Sequence, residues 1–419
     1  MARRPGNLPV DLSSFVGRAE ELAEGLRHLG EVRLMTVTGP AGVGKTRTTL
    51  RLAGRLRRRF GGGLWRAELS GTADPVAALA EALGLPGARS APELAARLGD
   101  RRMLIVLDTC DHLVGEVAEL AATLVRGTPR AVVVVTGRRP LGLPGERLLH
   151  LAPLPLTSAV RLFEDRALAV DPGFALTPVT APVVAEICGR LDGLPLAIEL
   201  AATLVRSLSA RDLLEGLRHR FTLLTGVSRT ALPRHRDLRA AVQWSLRLCD
   251  AEQRELWTLL SALPGPFDLA GAERAGRAAG FAAERVAPVL AGLVERSIVL
   301  REPGGRLRML EAYREIGLEP SGDRWRPAAQ QPLRGTGRIP RPRQAGRGAR
   351  PVSGALSARE LQVAELITEG LSNPEIATRL DIAKRTVDAH VRNILAKGGL
   401  ASRTQVAAWV AESDYQPSI

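Results

Sequence analysis

Apolar positions follow two different periods between residues 12 and 155. Arg33 to Thr38, Leu64 to Leu69, Met103 to Asp108 and Ala131 to Thr136 are short runs rich in apolar residues, with Arg147 to Leu151 a weaker fifth. Thr46 to Phe60, Ala77 to Leu83 and Pro92 to Leu98 have helical spacing instead. Short strands separated by helices predict a mainly parallel sheet covered on both faces. Pro153 and Pro155 then mark a boundary.

From Ser158 to about Phe221 the pattern is helical throughout. Ser158 is a candidate cap for a first helix and Pro182 a candidate start for a second. Further helices are expected over Pro195 to Leu208 and Ala210 to Arg220. Residues 236–316 predict more short helices. They end in a helix at Ala283 to Val294 and two strands, Ser297 to Arg301 and Arg306 to Leu310, split by Gly304-Gly305, which is the outline of a winged helix. Residues 317–352 differ in kind: Arg324 to Arg350 holds eight arginines, no acid and no apolar periodicity. That composition predicts a flexible basic linker that transmits little orientation. Helical periodicity returns over 353–412. The fold class expected is therefore multidomain: an α/β domain (12–155), which the glycine-rich run Gly39 to Thr46 between its first strand and first helix marks as a P-loop NTPase domain, a helical domain (156–235), a winged helix (236–316), the linker, and a C-terminal all-α domain (353–412) with a helix-turn-helix pattern.

Composition adds limits. The chain has 419 residues, enough for several cores, and no apolar stretch long enough to span a bilayer, so no membrane partner is expected. Cys110, Cys188 and Cys249 are far apart and make no metal or disulfide spacing, which points to a reducing cytoplasm. A net charge of +14 suggests a polyanion partner. The bias is carried almost wholly by arginine, however, as a GC-rich genome would produce. The only lysines are Lys45, Lys384 and Lys397, so the single lysine of the first 383 residues lies inside a glycine-rich motif.

That motif, Gly39-Pro40-Ala41-Gly42-Val43-Gly44-Lys45-Thr46, follows a predicted strand and opens a predicted helix, the context that phosphate binding requires. Gly39, Gly42 and Gly44 let the backbone curl so that its N–H groups face a phosphate. Lys45 would reach the β- and γ-phosphates of ATP or ADP, and Thr46 would ligate Mg²⁺. Asp108 ends an apolar strand where a second magnesium-side carboxylate belongs. Arg138, after Thr136-Gly137, suits a γ-phosphate sensor. The hydrolytic base is less defined: either Asp111 orients a water, or the site hydrolyses slowly and serves as a switch, the reading favoured here.

Leu12 to Ile316 resembles the signal-transducing ATPases of bacterial regulators, kin to the apoptotic and plant-resistance nucleotide-binding domains. The matching pieces are Ser14-Phe15-Val16-Gly17-Arg18, the glycine-rich loop, Leu107-Asp108-Thr109-Cys110-Asp111-His112, Thr136-Gly137-Arg138-Arg139-Pro140-Leu141 and Gly193-Leu194-Pro195-Leu196-Ala197-Ile198-Glu199. The resemblance implies that Phe15, Val16 and Arg18 lie against adenine and that Pro195 closes over the nucleotide. It also implies a resting ADP state rearranged by ATP exchange, with homo-oligomerisation. The family's usual asparagine and serine are replaced here by Thr109 and Gly137.

At the C-terminal end, Leu361, Val363, Ala364, Leu366 and Ile367 give an apolar helical face, and Ile376, Ala377 and Leu380 a second. A turn at Asp381 to Lys384 leads to a helix bearing Val387, Val391, Ile394 and Leu395, a helix-turn-helix pattern whose last helix would enter the major groove of double-stranded DNA. The segment resembles the LuxR-type domain of quorum-sensing and response regulators at Leu356 to Glu360, Glu369 to Ala377 and Thr386 to Val391. The resemblance puts Asp388, Ala389 and Arg392 at base-facing positions and Lys384, Thr386, Asn393 and Lys397 near phosphates, with His390 structural or at a phosphate. Ala383 and Gly398 stand where serine and leucine are usual. The implied function is an ATP-linked transcriptional regulator. The alternative is a signalling ATPase whose DNA-binding end has decayed.

Overall fold

A computed structural model describes residues 5–10, 13–217, 223–224, 238–302, 304–319, 358–368, 373–380, 382–383, 386–387, 390–391 and 393–394. The chain divides into two compact units, Met1–Leu333 and Arg334–Ile419.

The first unit is organised by five parallel strands: β1 (Leu34–Thr38), β2 (Leu64–Glu68), β3 (Leu104–Asp108), β4 (Val132–Thr136) and β5 (Arg147–His150). They are ordered β2-β3-β4-β1-β5. β1, β3 and β4 are buried at every position because the sheet is covered on both faces, which is why they read as unbroken apolar runs. The period of two sorts their side chains cleanly. Met35, Val37, Leu104, Val106, Val132 and Val134 face a core completed by α1 (Ala19–Glu31) and α2 (Lys45–Arg55). Leu34, Ile105, Leu107, Val133 and Val135 face another built on α3 (Pro75–Ala82), α4 (Ala91–Leu98) and α5 (Val114–Gly127).

The helical segment departs from expectation in detail. α6 spans Leu156–Val170 with Pro155 at its cap, so Ser158 lies inside the helix rather than ahead of it. α7 (Thr180–Arg190) begins two residues before Pro182. α8 (Pro195–Thr203) does open on its proline, but tightens into a 3₁₀ turn at Leu204–Arg206. α9 (Ala210–Gly216) is capped by Ser209; residues 218–222, where its expected continuation falls, lie outside the described residues.

Four helices follow, Leu238–Arg247, Ala251–Ser261, Leu269–Ala278 and Ala283–Glu295. Then come the antiparallel strands β6 (Val299–Arg301) and β7 (Leu307–Met309) and a closing helix, Glu311–Leu318. Gly304 and Gly305 both have positive φ, 87° and 82°, as a tight hairpin turn demands. This hairpin follows directly on the helix Ala283–Glu295. The core on the α1–α2 face continues without a break through Phe163, Ile198 and Trp257 to Tyr313 and Ile316. Sheet, helical segment and hairpin segment thus share one core.

In the second unit, helices Ala358–Thr368 and Asn373–Arg379 pack Val363, Ala364, Leu366, Ile367, Ile376 and Ala377 around Val387 and Ile394. The backbone N–H of Thr386 donates to the Ala383 carbonyl at 2.8 Å, which starts the next turn.

One residue of the sheet is strained. Thr109 follows β3 at φ 65°, a region in which β-branched residues are disfavoured and asparagine is tolerated. Thr109→Asn is therefore expected to stabilise the protein by about 1 kcal/mol. Thermal denaturation should show a rise of a few degrees; an unchanged or lower midpoint would contradict the strain.

Candidate nucleotide site and helix-turn-helix

The glycine-rich loop leaves β1 and turns into α2 with Gly39, Gly42 and Gly44 at φ 146°, 76° and 95°. Only glycine fits two of these places: a Cβ at Gly39 would come 2.4 Å from the Leu151 carbonyl oxygen, and one at Gly42 would come 2.9 Å from Leu196 Cβ. Asp108 and Thr136 end β3 and β4, with β4 lying between β3 and β1, so all three strands end at the carboxyl edge of the sheet, where open parallel sheets bind ligands.

Asp108 is the centre of this edge and is fully buried. Its Oδ1 accepts from the Thr46 hydroxyl at 2.7 Å and from the Thr136 hydroxyl at 2.5 Å. Its Oδ2 accepts from Arg66 Nε at 2.9 Å and also from Arg66 Nη2. Sequence reasoning found Asp108 and Thr46 but missed Arg66. The available signal was a charged residue two places from Leu64 in β2, on the parity that faces inward.

Lys45 folds back over its own loop, Nζ donating to the carbonyls of Gly39 at 2.8 Å and Pro40 at 3.0 Å. Burial pushes its ammonium down to about 8; Asp111 and Asp108 pull it up, and Arg138 lowers it. Arg138 makes its side-chain hydrogen bonds outside the loop. Its Nη1 donates to the Ser245 hydroxyl and its Nη2 to the Ala241 carbonyl at 3.1 Å, both on the helix Leu238–Arg247. Asp111 accepts from the Arg138 backbone N–H at 2.7 Å and lies 3.5 Å from Arg138 Nε. The loop itself is touched from the hairpin segment: the Ala41 N–H donates to the Tyr313 hydroxyl at 2.9 Å. Tyr313, 272 residues from Ala41, carries no local sequence signal for this role.

Phe15, Val16, Arg18 and Pro195 are brought together with Val43, Gly44 and Leu154 around one pocket beside the loop. Arg18 holds the loop through Nη2 to the Val43 carbonyl, 3.1 Å, and Leu196 N–H donates to the Gly42 carbonyl, 3.1 Å, so the start of α8 is fixed to the loop. Arg47 and Arg51 place guanidinium groups 5.8 and 5.6 Å from the Phe15 ring centre. An apolar slot flanked by an aromatic ring and cations can take a flat heteroaromatic group. The three cysteines are buried, and burial pushes each thiol up, so none is a ready nucleophile. Among the described residues no cluster of His, Cys, Asp and Glu could hold a metal, and no helix is long and apolar enough to cross a membrane.

In the second unit, Thr386 and Asn393 are exposed while their neighbours Val387 and Ile394 are buried; His390 is half-buried. Lys384, Asp388, Ala389, Arg392 and Lys397 lie outside the described residues.

Residues 354–410 match the GerE family, bacterial regulatory proteins of the luxR type. Over 319 residues the chain is 39% identical to Uncharacterized protein Rv0894 of Mycobacterium tuberculosis, covering 74% of this chain and 81% of that protein. The chain belongs to that protein's family. It is also 37% identical over 305 residues to Rv0890c of the same organism, named as an HTH-type transcriptional regulator; the match covers 70% of this chain and 34% of Rv0890c. Among solved structures, a Walker-type ATPase of Pyrococcus abyssi superposes with a TM-score of 0.52 at 14% identity, over 73% of this chain and 96% of that one. This chain thus combines a P-loop ATPase-like α/β region with a LuxR-type helix-turn-helix.

The pH behaviour of Lys45 is testable without a ligand. Its folded-state value, about 8, lies below the ordinary 10.5, so the folded chain is penalised while the amine is charged. Stability should rise as pH increases from about 8 to 10, by on the order of 1 kcal/mol more than in Lys45→Met. Urea denaturation of both proteins at pH 7.5 and 9.5 measures the difference; parallel curves would show that the amine is not penalised.

Proposed function

We propose that this protein is an ATP/ADP-binding transcriptional regulator that binds DNA through its C-terminal helix-turn-helix, with nucleotide exchange or slow hydrolysis as its switch. The observation that carries the proposal is the Thr46 hydroxyl donating to buried Asp108 beneath a glycine-formed loop, in a chain whose other end is LuxR-type. The loop amides and Lys45 would hold the phosphates, and the slot at Phe15, Val16, Arg18 and Pro195 would hold adenine. Of the expected Mg²⁺ partners, the Thr46 hydroxyl gives its proton to Asp108 and keeps its oxygen lone pairs, whereas the Asp108 carboxylate is already engaged by Thr136 and Arg66. Bound nucleotide would supply the phosphoryl group.

The chain's own residues favour a slow switch. Asp111 is engaged by the Arg138 backbone, which weakens it as a base. Arg138 must leave Ser245 and Ala241 before it can meet a γ-phosphate, and Tyr313 already occupies one loop amide. Exchange to ATP would loosen these contacts and permit self-association. Association then raises the effective concentration of helix-turn-helix units on paired half-sites without a rigid connection. At the DNA, Asp388, Ala389 and Arg392 would face base edges, while Lys384, Thr386, His390, Asn393 and Lys397 would position the helix on phosphates.

Calorimetry with ADP and ATP, paired with DNA selection from a random pool in each nucleotide, tests this reading. Lys45→Ala is expected to abolish tight binding of both nucleotides; unchanged affinity would overturn the site. Tyr313→Phe frees the Ala41 amide and should raise nucleotide affinity about fivefold, the worth of one ordinary hydrogen bond, about 1 kcal/mol. It should also lower the melting temperature of the nucleotide-free protein. Equal affinity in the two proteins would show that the tyrosine does not compete.

A further inference from the structure

The carboxylate that would attend a divalent cation here is already matched by a cation of the protein. Leu64, Arg66 and Glu68 share one face of β2, and register pairs Arg66 with Val106 and Glu68 with Asp108 on β3. The period of two therefore places Arg66 on the sheet face that α2 covers, beside the last residue of β3. From there its Nε and Nη2 both donate to Asp108 Oδ2, and its Nη2 also meets Glu68. Oδ1 is filled by Thr46 and Thr136. Both lone pairs of each carboxylate oxygen are thus engaged, and the carboxylate has no exposed surface. A magnesium ion held by a phosphate-loop hydroxyl ordinarily has such a carboxylate as its outer partner through water. Arg66 fills that place and sets a fixed positive charge next to it.

We propose that Arg66 is a positioning residue that supplants the divalent cation at Asp108, so that nucleotide binding by this chain is nearly independent of Mg²⁺. The inference rests on the nucleotide reading above and goes beyond it in assigning how the charge at Asp108 is balanced. Arg66 fixes the Asp108 carboxylate, which in turn holds Thr46 at the head of α2. The loop is therefore organised before any metal arrives, and an incoming cation meets a neutralised site.

The test uses the full-length chain with ADP as the probe. ADP affinity is measured by calorimetry in millimolar Mg²⁺ and in EDTA for the unaltered protein, Arg66→Gln and Arg66→Lys. Mn²⁺ binding is followed separately by electron paramagnetic resonance. The unaltered protein is expected to change ADP affinity less than about threefold on chelation and to bind Mn²⁺ weakly even with ADP present. Arg66→Gln should gain at least a tenfold dependence on metal and a tighter Mn²⁺ signal, and Arg66→Lys should retain the weak dependence. A tenfold loss of ADP affinity in the unaltered protein on chelation overturns the inference without any variant, so a misfolded substitution cannot shelter it. Equal metal dependence in the unaltered and Gln proteins overturns it also. If no ADP or ATP binds the unaltered protein with or without metal, the nucleotide reading itself fails and this inference falls with it. Binding with ordinary metal dependence removes only the role of Arg66.

Discussion

The buried carboxylate of Asp108 is the constraint around which the first unit is arranged. An ionised carboxylate enclosed in a protein costs several kcal/mol unless hydrogen bonds and an opposite charge compensate it. Here the compensation comes from three places distant in sequence: Thr46 at the head of α2, Thr136 at the end of β4 and Arg66 in β2. Arg66 and Thr136 reach Asp108 only because β2, β3 and β4 are adjacent and in register. Slipping β2 by one residue would turn Arg66 to the opposite face and leave the carboxylate short of its charge partner. The pairing of Glu68 with Asp108 and of Leu107 with Val135 is therefore tied to the site as well as to the core.

Strain gathers where the segments meet this edge. Besides Thr109, the non-glycine residues with positive φ include Asp192 at 54° and Ser297 at 56°. Asp192 accepts from Arg308 Nη1 at 3.1 Å and from the Glu311 backbone N–H at 2.6 Å, joining the turn before α8 to the last helix of the hairpin segment. Ser297 donates its hydroxyl to the Arg138 carbonyl at 3.0 Å. Each strained residue places a polar group across a junction, and strain of this kind persists only where the surroundings over-determine it. The apolar core runs on beneath all of them. The polar junctions can exchange partners while that core keeps the segments together.

What the sequence disclosed follows from how local each signal is. β1, β3 and β4 were legible because burial on both faces leaves unbroken apolar runs, and the loop was legible because its glycines have fixed spacing. Asp108 was visible as a charge closing such a run. Ser158 misled because a good capping residue lay three places inside a helix that Pro155 had already begun. Arg66 drew no reading of its own within the run Leu64 to Leu69, since only register reveals that it faces Asp108. Tyr313 and Ser245 had no signal at all: their partners, Ala41 and Arg138, are 272 and 107 residues away. Long-range polar pairing is set by packing geometry, which periodicity does not encode.

The contacts of Arg138 decide how strongly the site is held in its present arrangement. Its guanidinium makes two hydrogen bonds to the helix Leu238–Arg247, inside a buried junction. Hydrogen bonds to a charged group contribute roughly 1.5–3 kcal/mol each, so the pair is worth about 3–6 kcal/mol before the cost of ordering is removed. Inverting a two-state equilibrium from 1:99 to 99:1 takes about 5.5 kcal/mol of differential affinity. The two quantities are comparable. A ligand that drew Arg138 toward the loop would have to offer it partners at least as good as Ser245 and Ala241, and a terminal phosphate, charged and able to accept both bonds, is chemically suited to do so. A diphosphate ending short of that arginine would leave the junction intact. In the proposed switch, discrimination between the two nucleotides thus needs no contact that reads the γ-phosphate in the resting state. It needs only a junction whose strength lies within reach of what one phosphate can replace.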